Sequence, residues 1–136
     1  MKKKELVMTL VALNGHILKN VDRALSVHGI SFSEFQVMRQ LSTAPGMTMR
    51  RIDLAESVGL TASGVTRLLN PMEKIGLVEK ESAPRDARVS LVKLSKAGGK
   101  LLEDATASFE MAAESLFKHL NDKQISKLIE LASLIL

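Results

Sequence analysis

The chain has no cysteine, no tryptophan and no tyrosine. Without thiols there can be no disulfide, no thiolate zinc site, no cysteine nucleophile and no cysteine redox sensor. Aromatic residues are limited to Phe32, Phe35, Phe109 and Phe117. That disfavours a single-strand nucleic-acid binder built on base stacking. No uninterrupted apolar run approaches the roughly 20 residues of a membrane span. His16, His28 and His119 form no His-x-x-x-His or Glu-x-x-His pair; they suit a surface or a subunit interface better than a metal site. No metal or cofactor is expected. A glycine-rich phosphate loop and a Gly-x-Ser-x-Gly elbow are also missing, which argues against an enzyme.

What is present suits one domain: 136 residues, 46% of them hydrophobic, enough for a sizeable core. The net charge is +4, and it is unevenly placed: residues 45–100 carry +4, residues 1–44 carry +3 and residues 101–136 carry −3. A basic middle segment is the electrostatic footprint of a phosphate-binding surface. Lys2, Lys3 and Lys4 ahead of Leu6 to Leu13 have the outline of a signal peptide. Glu5 breaks it, the apolar run is short, and Asn14-Gly15-His16 offers no small-residue cleavage pattern. The expectation is a mature, cytoplasmic chain.

Apolar residues recur at helical spacing from Leu6 to Leu25 in two stripes, Leu6-Leu10-Leu13-Ile17-Val21-Ala24 and Val7-Val11-Leu18-Leu25. Two stripes mean two surfaces to bury, one of them against another subunit. Gly29 closes this helix as a left-handed cap. Ser33-x-x-Gln36 matches a capping box for a second helix, with Phe32 and Val37 as its staple, and Ala44-Pro45-Gly46 ends it. Thr48 is expected to cap a third helix with Ile52, Leu54, Ala55 and Val58 on its core side. Gly59-Leu60 turns into a fourth, capped by Thr61, carrying Val65, Leu68, Leu69, Met72 and Ile75 and stopped by Gly76. Two short helices about a glycine-containing turn are a helix-turn-helix pattern. Pro71 inside the fourth helix reads either as a tolerated kink or as a bend that sets off the reading segment.

The period then shortens. Leu77–Ser82 and Arg88–Leu94 alternate as strands about the turn Ala83-Pro84-Arg85-Asp86-Ala87, giving a hairpin with a charged tip. Ser95 caps a long helix with Leu102, Ala105, Phe109, Ala112 and Leu116 on one stripe. Asn121-x-x-Gln124, stapled by Leu120 and Ile125, starts a last helix whose apolar end needs a cover. The seven methionines read as core filling or as the lining of an adaptable ligand cavity.

On the fourth helix Ser63, Thr66, Arg67 and Asn70 are spaced i, i+3, i+4, i+7, opposite the apolar face. Short hydroxyls, a forked cation and an amide are the groups that read base edges in a major groove. Gly64 would allow close backbone approach, and Arg67 is the leading candidate for direct readout. Arg50 and Arg51 open the third helix, where the dipole disfavours cations; a DNA phosphate nearby would offset that, and Thr61 is a further candidate backbone contact. Arg85 at the hairpin tip is expected on a phosphate.

The order helix, helix, helix-turn-helix, hairpin, long helix, terminal helix resembles the MarR family of bacterial transcription regulators over nearly the whole chain. The resemblance rests on Leu60-Thr-Ala-Ser-Gly-Val-Thr-Arg-Leu-Leu69 and Met72-Glu-Lys-Ile-Gly-Leu-Val78, followed by Asp86-Ala-Arg88 and Val89-Ser-Leu-Val-Lys-Leu-Ser-Lys-Ala-Gly98. Family hairpins often read Asp-Arg-Arg, so Ala87 is a departure that puts one wing contact in doubt. The resemblance implies a mainly α fold with a small β-hairpin wing: a winged helix-turn-helix lobe at 33–94, and a helical dimerisation region at 1–30 and 95–136, within one domain. It implies a homodimer on a near-palindromic double-stranded site and a small effector between the lobes. It also implies that Arg88 enters the minor groove while Asp86 orients it. A winged helix that binds protein in place of DNA is the competing reading; a polar reading face argues against it.

Overall fold

The computed structural model describes residues 1–136, the side chain of Ala87 excepted. Helix α1 spans Lys2–Leu25 and passes into a 3-10 turn at Ser26–His28, which Gly29 closes at φ 74°. α2 (Phe32–Thr43) follows, then a tight turn at Pro45–Met47. β1 (Thr48–Arg50), α3 (Arg51–Ser57), α4 (Ala62–Lys74), β2 (Val78–Ala83) and β3 (Asp86–Leu94) make up the winged segment. α5 (Lys96–Leu116) and α6 (Asp122–Ser133) complete the chain.

The helix starts follow side-chain chemistry, with one shift from the sequence reading. The capping box of α2 is Ser31 with Glu34, not Ser33 with Gln36. Glu34 accepts from the Ser31 N–H at 3.0 Å, and Ser31 Oγ accepts from the Glu34 N–H at 3.3 Å. Both pairs fit the motif, but the earlier one lets Ile30 and Phe35 enter the core together. It also lets Asp22 on α1 accept from the Phe32 N–H at 2.7 Å. The Thr61, Ser95 and Asn121 caps fall where expected, each accepting from the backbone three residues on.

The second shift is β1. Thr48 does not cap α3; it lies in a short strand opposite Lys93, with Met49 opposite Val92. The sheet is therefore three-stranded and antiparallel, in the order β1-β3-β2. α3 starts without a side-chain cap, and Ile52, expected in the core, is 61% exposed. Ile75 is likewise exposed at the end of α4, where the chain turns through Gly76 at φ 81°.

The core joins the last turns of α1 (Val21, Leu25) to α2, to the buried faces of α3 and α4 and to Val92 and Leu94 of β3. Phe35 stacks on Phe109 of α5 at 4.9 Å between ring centroids, with Phe32 alongside at 6.1 Å. His28 Nε2 lies 2.8 Å from Ser108 Oγ on the same helix. The root of the wing is fixed at Ser95, whose Oγ is within hydrogen-bonding distance of the Gly76 and Leu77 carbonyls and accepts from the Gly98 N–H. A Cβ at Gly98 would collide with the Leu77 carbonyl oxygen, so only glycine lets α5 run this close to the wing.

Two regions lie outside this core. Every residue of α1 from Lys2 to His16 is exposed, among them Leu6, Val7, Leu10 and Val11. No residue of α6 is buried, and Leu128, Ile129 and Leu131 face outward. Among the described residues, no helix is long and apolar enough to cross a membrane; exposed apolar faces of this kind mark interaction surfaces.

Candidate nucleic-acid interface

The candidate reading surface is built on α4. Val65, Leu69 and Met72 are fully buried and fix the helix against α2 and α3. This turns Ser63, Arg67 and Asn70 outward and leaves Thr66 half-buried. With Ala62 they line a shallow groove of about 420 Å³. Among the described residues nothing pairs with the Arg67 guanidinium, so its five donors are available to a ligand. Thr61 Oγ1 is committed to the helix start, accepting from the Gly64 N–H at 3.0 Å. Gly64 backs onto that turn: a Cβ there would lie 3.1 Å from Thr61 Oγ1 and 3.7 Å from Leu60 Cβ. α4 continues through Pro71 to Lys74. By helical register the residue whose carbonyl loses its donor is Arg67, one turn before the proline.

The two arginines at the start of α3 part company. Arg50 is exposed, its Nε 3.9 Å from Asp53 Oδ2 in a loose surface pair. Arg51 turns inward. Its Nη2 donates to Glu73 Oε1 at 3.0 Å and its Nη1 to Thr66 Oγ1 at 3.3 Å, with the side chain only 17% exposed. Expected on a DNA phosphate, its guanidinium is instead occupied by α4. Glu73 is the residue that sequence reasoning missed. It stands 22 positions from Arg51, and nothing local marks it as the partner.

The wing presents the other charged group. Asp86 accepts from Arg88 three times: Nε to Oδ1 at 3.1 Å, Nη2 to Oδ2 at 3.3 Å and the Arg88 backbone N–H to Oδ1 at 3.0 Å. The Arg88 side-chain and backbone hydrogen bonds hold the Asp86 carboxyl below its ordinary range. Arg88 remains 92% exposed, so the pair is a surface fork whose outer nitrogens still face solvent. Arg85 is exposed at the turn. The side chain of Ala87 lies outside the described residues. Arg50, Arg51, Ile52, Arg88, Val89 and Ser90 line a cleft of about 220 Å³ between α3 and the wing, which sets the arginines expected on the DNA backbone beside the one expected in the minor groove. Among the described residues, no group of three His, Asp or Glu side chains could hold a metal ion.

Residues 30–90 match the MarR family. The chain is 24% identical over 140 residues to the HTH-type transcriptional regulator PrsX of Escherichia coli, covering 88% of this chain and 84% of that one. Its fold is that of Sco3205, a MarR family transcriptional regulator from Streptomyces coelicolor solved in complex with DNA: TM-score 0.91, 20% identity, 99% of this chain and 86% of that one. A mutant MarR from E. coli complexed with operator DNA is similar at TM-score 0.90 and 22% identity, over 97% and 94% of the two chains.

Proposed function

We propose that the chain, whose residues 30–90 match the MarR family, is a MarR-type homodimeric, sequence-specific regulator of transcription that binds double-stranded DNA in the cytoplasm. The observation that carries the reading is Arg67, unpaired among the described residues and set among Ser63, Thr66 and Asn70 on a helix whose opposite face buries Val65, Leu69 and Met72. Such a helix can enter a major groove without altering its own packing. Arg67 and Asn70 offer donors to base edges, Arg50 and Arg85 offer charge to phosphates, and Arg88, held by Asp86, suits the negative potential of a narrow minor groove.

Dimerisation supplies the second half-site. We assign residues 33–94 to the DNA-binding lobe and residues 1–30 and 95–136 to the dimerisation region, because the exposed apolar faces of α1 and α6 lie there. Two recognition helices about one helical turn apart, roughly 34–36 Å, would read a near-palindromic site. A small effector that changes the spacing of the lobes would release it, so the regulator acts as a ligand-responsive repressor. Titration of a selected duplex against a scrambled one, over a range of salt, tests the reading. Sequence-independent binding at every salt concentration contradicts it.

A further inference from the structure

A cleft of about 410 Å³ opens between the C-terminal half of α1 and the C-terminal end of α5. Its floor is apolar: Ala24 of α1, with Ala112 and Leu116 of α5, all three half-buried. Alanine on both helices leaves room that longer side chains would take up. The volume lies in the range of small-molecule sites, roughly 300–1,000 Å³, and an apolar floor under a few polar groups is their usual chemistry.

The rim is cationic. Arg23 stands on α1, and Lys118 and His119 follow the end of α5; all three are exposed. His16 precedes Arg23 by two helical turns, about 10 Å along the axis, so donors stand toward both ends of the cleft. A neutral imidazole still donates one ring N–H. Asn20 lies between them, its Nδ2 donating to the His16 carbonyl at 2.8 Å, and Ser115 adds a hydroxyl. Among the described residues, no Asp or Glu lines the cleft, and neither Arg23 nor Lys118 forms an ion pair. Local composition does not account for this, since residues 101–136 carry a net −3. A concave surface lined by one sign of charge concentrates ions of the other sign.

We propose that this cleft binds a small organic dianion, two carboxylates joined by a short carbon chain. Arg23 takes one carboxylate with its planar fork, Lys118 and the two histidines take the other, and the chain lies on Ala24, Ala112 and Leu116. No residue of 33–94 lines the cleft, so the site is separate from the groove of α4. It is also not between the lobes, where the sequence resemblance implies an effector; at the junction of α2 with α5, Phe32 and Phe35 stack on Phe109. The inference is independent of the DNA-reading role proposed above.

The test is calorimetric titration of the full chain, without DNA and at one ionic strength, with succinate, glutarate and adipate. Butyrate is the one-carboxylate counterpart and glutaramide the neutral one. At least one dicarboxylate should saturate one site per chain, with butyrate weaker by about tenfold or more, the scale of one charge-assisted hydrogen bond, and glutaramide silent. Arg23→Gln and Lys118→Gln should each weaken the dicarboxylate by about tenfold. Ala112→Leu, which fills the floor and leaves the charge unchanged, should weaken it as well. Lys80→Gln, the same loss of charge on exposed β2, should match the wild type. No saturable binding of any of the three dicarboxylates overturns the proposal, and so does glutaramide binding as tightly as glutarate. If Lys80→Gln weakens binding as much as Arg23→Gln does, the attraction is diffuse and there is no site. If Arg23→Gln changes the sedimentation of the protein, the cleft receives a second copy of the chain in place of a ligand, which also overturns it. Should Ala112→Leu melt below the assay temperature, Arg23→Gln and Lys118→Gln decide. Failure of the protein to select a duplex leaves this inference standing and sinks only the DNA-reading role.

Discussion

Asp86 and Arg88 form a closed fork at the wing tip. The carboxylate of Asp86 accepts from two nitrogens of the Arg88 guanidinium and from the Arg88 backbone N–H. If Arg88 meets DNA as proposed, an anion beside it is costly unless it arranges that cation, and three bonds to one residue are such an arrangement. Simple Coulomb reasoning says that removing Asp86 should tighten attachment to a polyanion. The geometry predicts the opposite. Asp86→Ala should weaken binding of a selected duplex at fixed salt, with helix content and assembly unchanged. Arg88→Ala should also relax any preference for A·T-rich flanks.

The same pair has a pH signature. The folded Asp86 carboxyl is held below its ordinary range by Arg88. Its contribution is therefore fully present above the unfolded carboxylate range, and is lost as pH falls through the lowered folded value. Carbon-detected NMR should show Asp86 titrating below the ordinary carboxylate range, and Arg88→Ala should return it toward that range.

Arg67→Ala should cost a selected duplex about 1–3 kcal/mol if the guanidinium reads a base edge. The fold should not change, since the side chain is exposed and unpaired among the described residues. Equal loss on scrambled DNA would reduce Arg67 to a phosphate contact.

Gly98→Ala addresses the junction of wing and α5. The added methyl group meets the Leu77 carbonyl oxygen, and forced repacking of this kind costs about 1–3 kcal/mol. Thermal unfolding should show a lower midpoint. An unchanged midpoint would mean that the wing root yields freely.

The exposed apolar faces make a further prediction. Ile129 on α6 and Leu10 on α1 are 63% and 43% exposed, so in a monomer Ile129→Glu and Leu10→Glu would be close to neutral. Across a subunit interface they bury a charge without a partner. Sedimentation at micromolar protein should show a dimer for the wild type and a monomer for these variants.

Most of the fold was legible because it is written locally. The caps at Thr61, Ser95 and Asn121, the glycine stops at Gly29 and Gly76 and the alternation in β3 each depend on residues a few positions apart. What was not legible depends on distance. β1 is three residues long and exists because β3 offers it a partner 43 positions away, Met49 against Val92; alone, Thr48 looks like a cap. Ser31 and Ser33 both satisfy the capping motif, and the choice is made by Asp22 from the preceding helix. In the candidate interface, the spacing of Ser63, Thr66, Arg67 and Asn70 predicted that they share one face of α4, and they line one groove there. The inward turn of Arg51 could not be read, because charge and position alone do not reveal that Glu73 will face it.

The most direct test of the central claim is the recovery of genomic fragments bound by the purified protein, followed by titration of the enriched duplex. A near-palindromic site with half-sites about one helical turn apart, bound by one dimer and weakened by about 1–3 kcal/mol on Arg67→Ala, is the predicted result. Fragments recovered without a shared sequence, or bound no more tightly than scrambled duplex at the same salt, would contradict it.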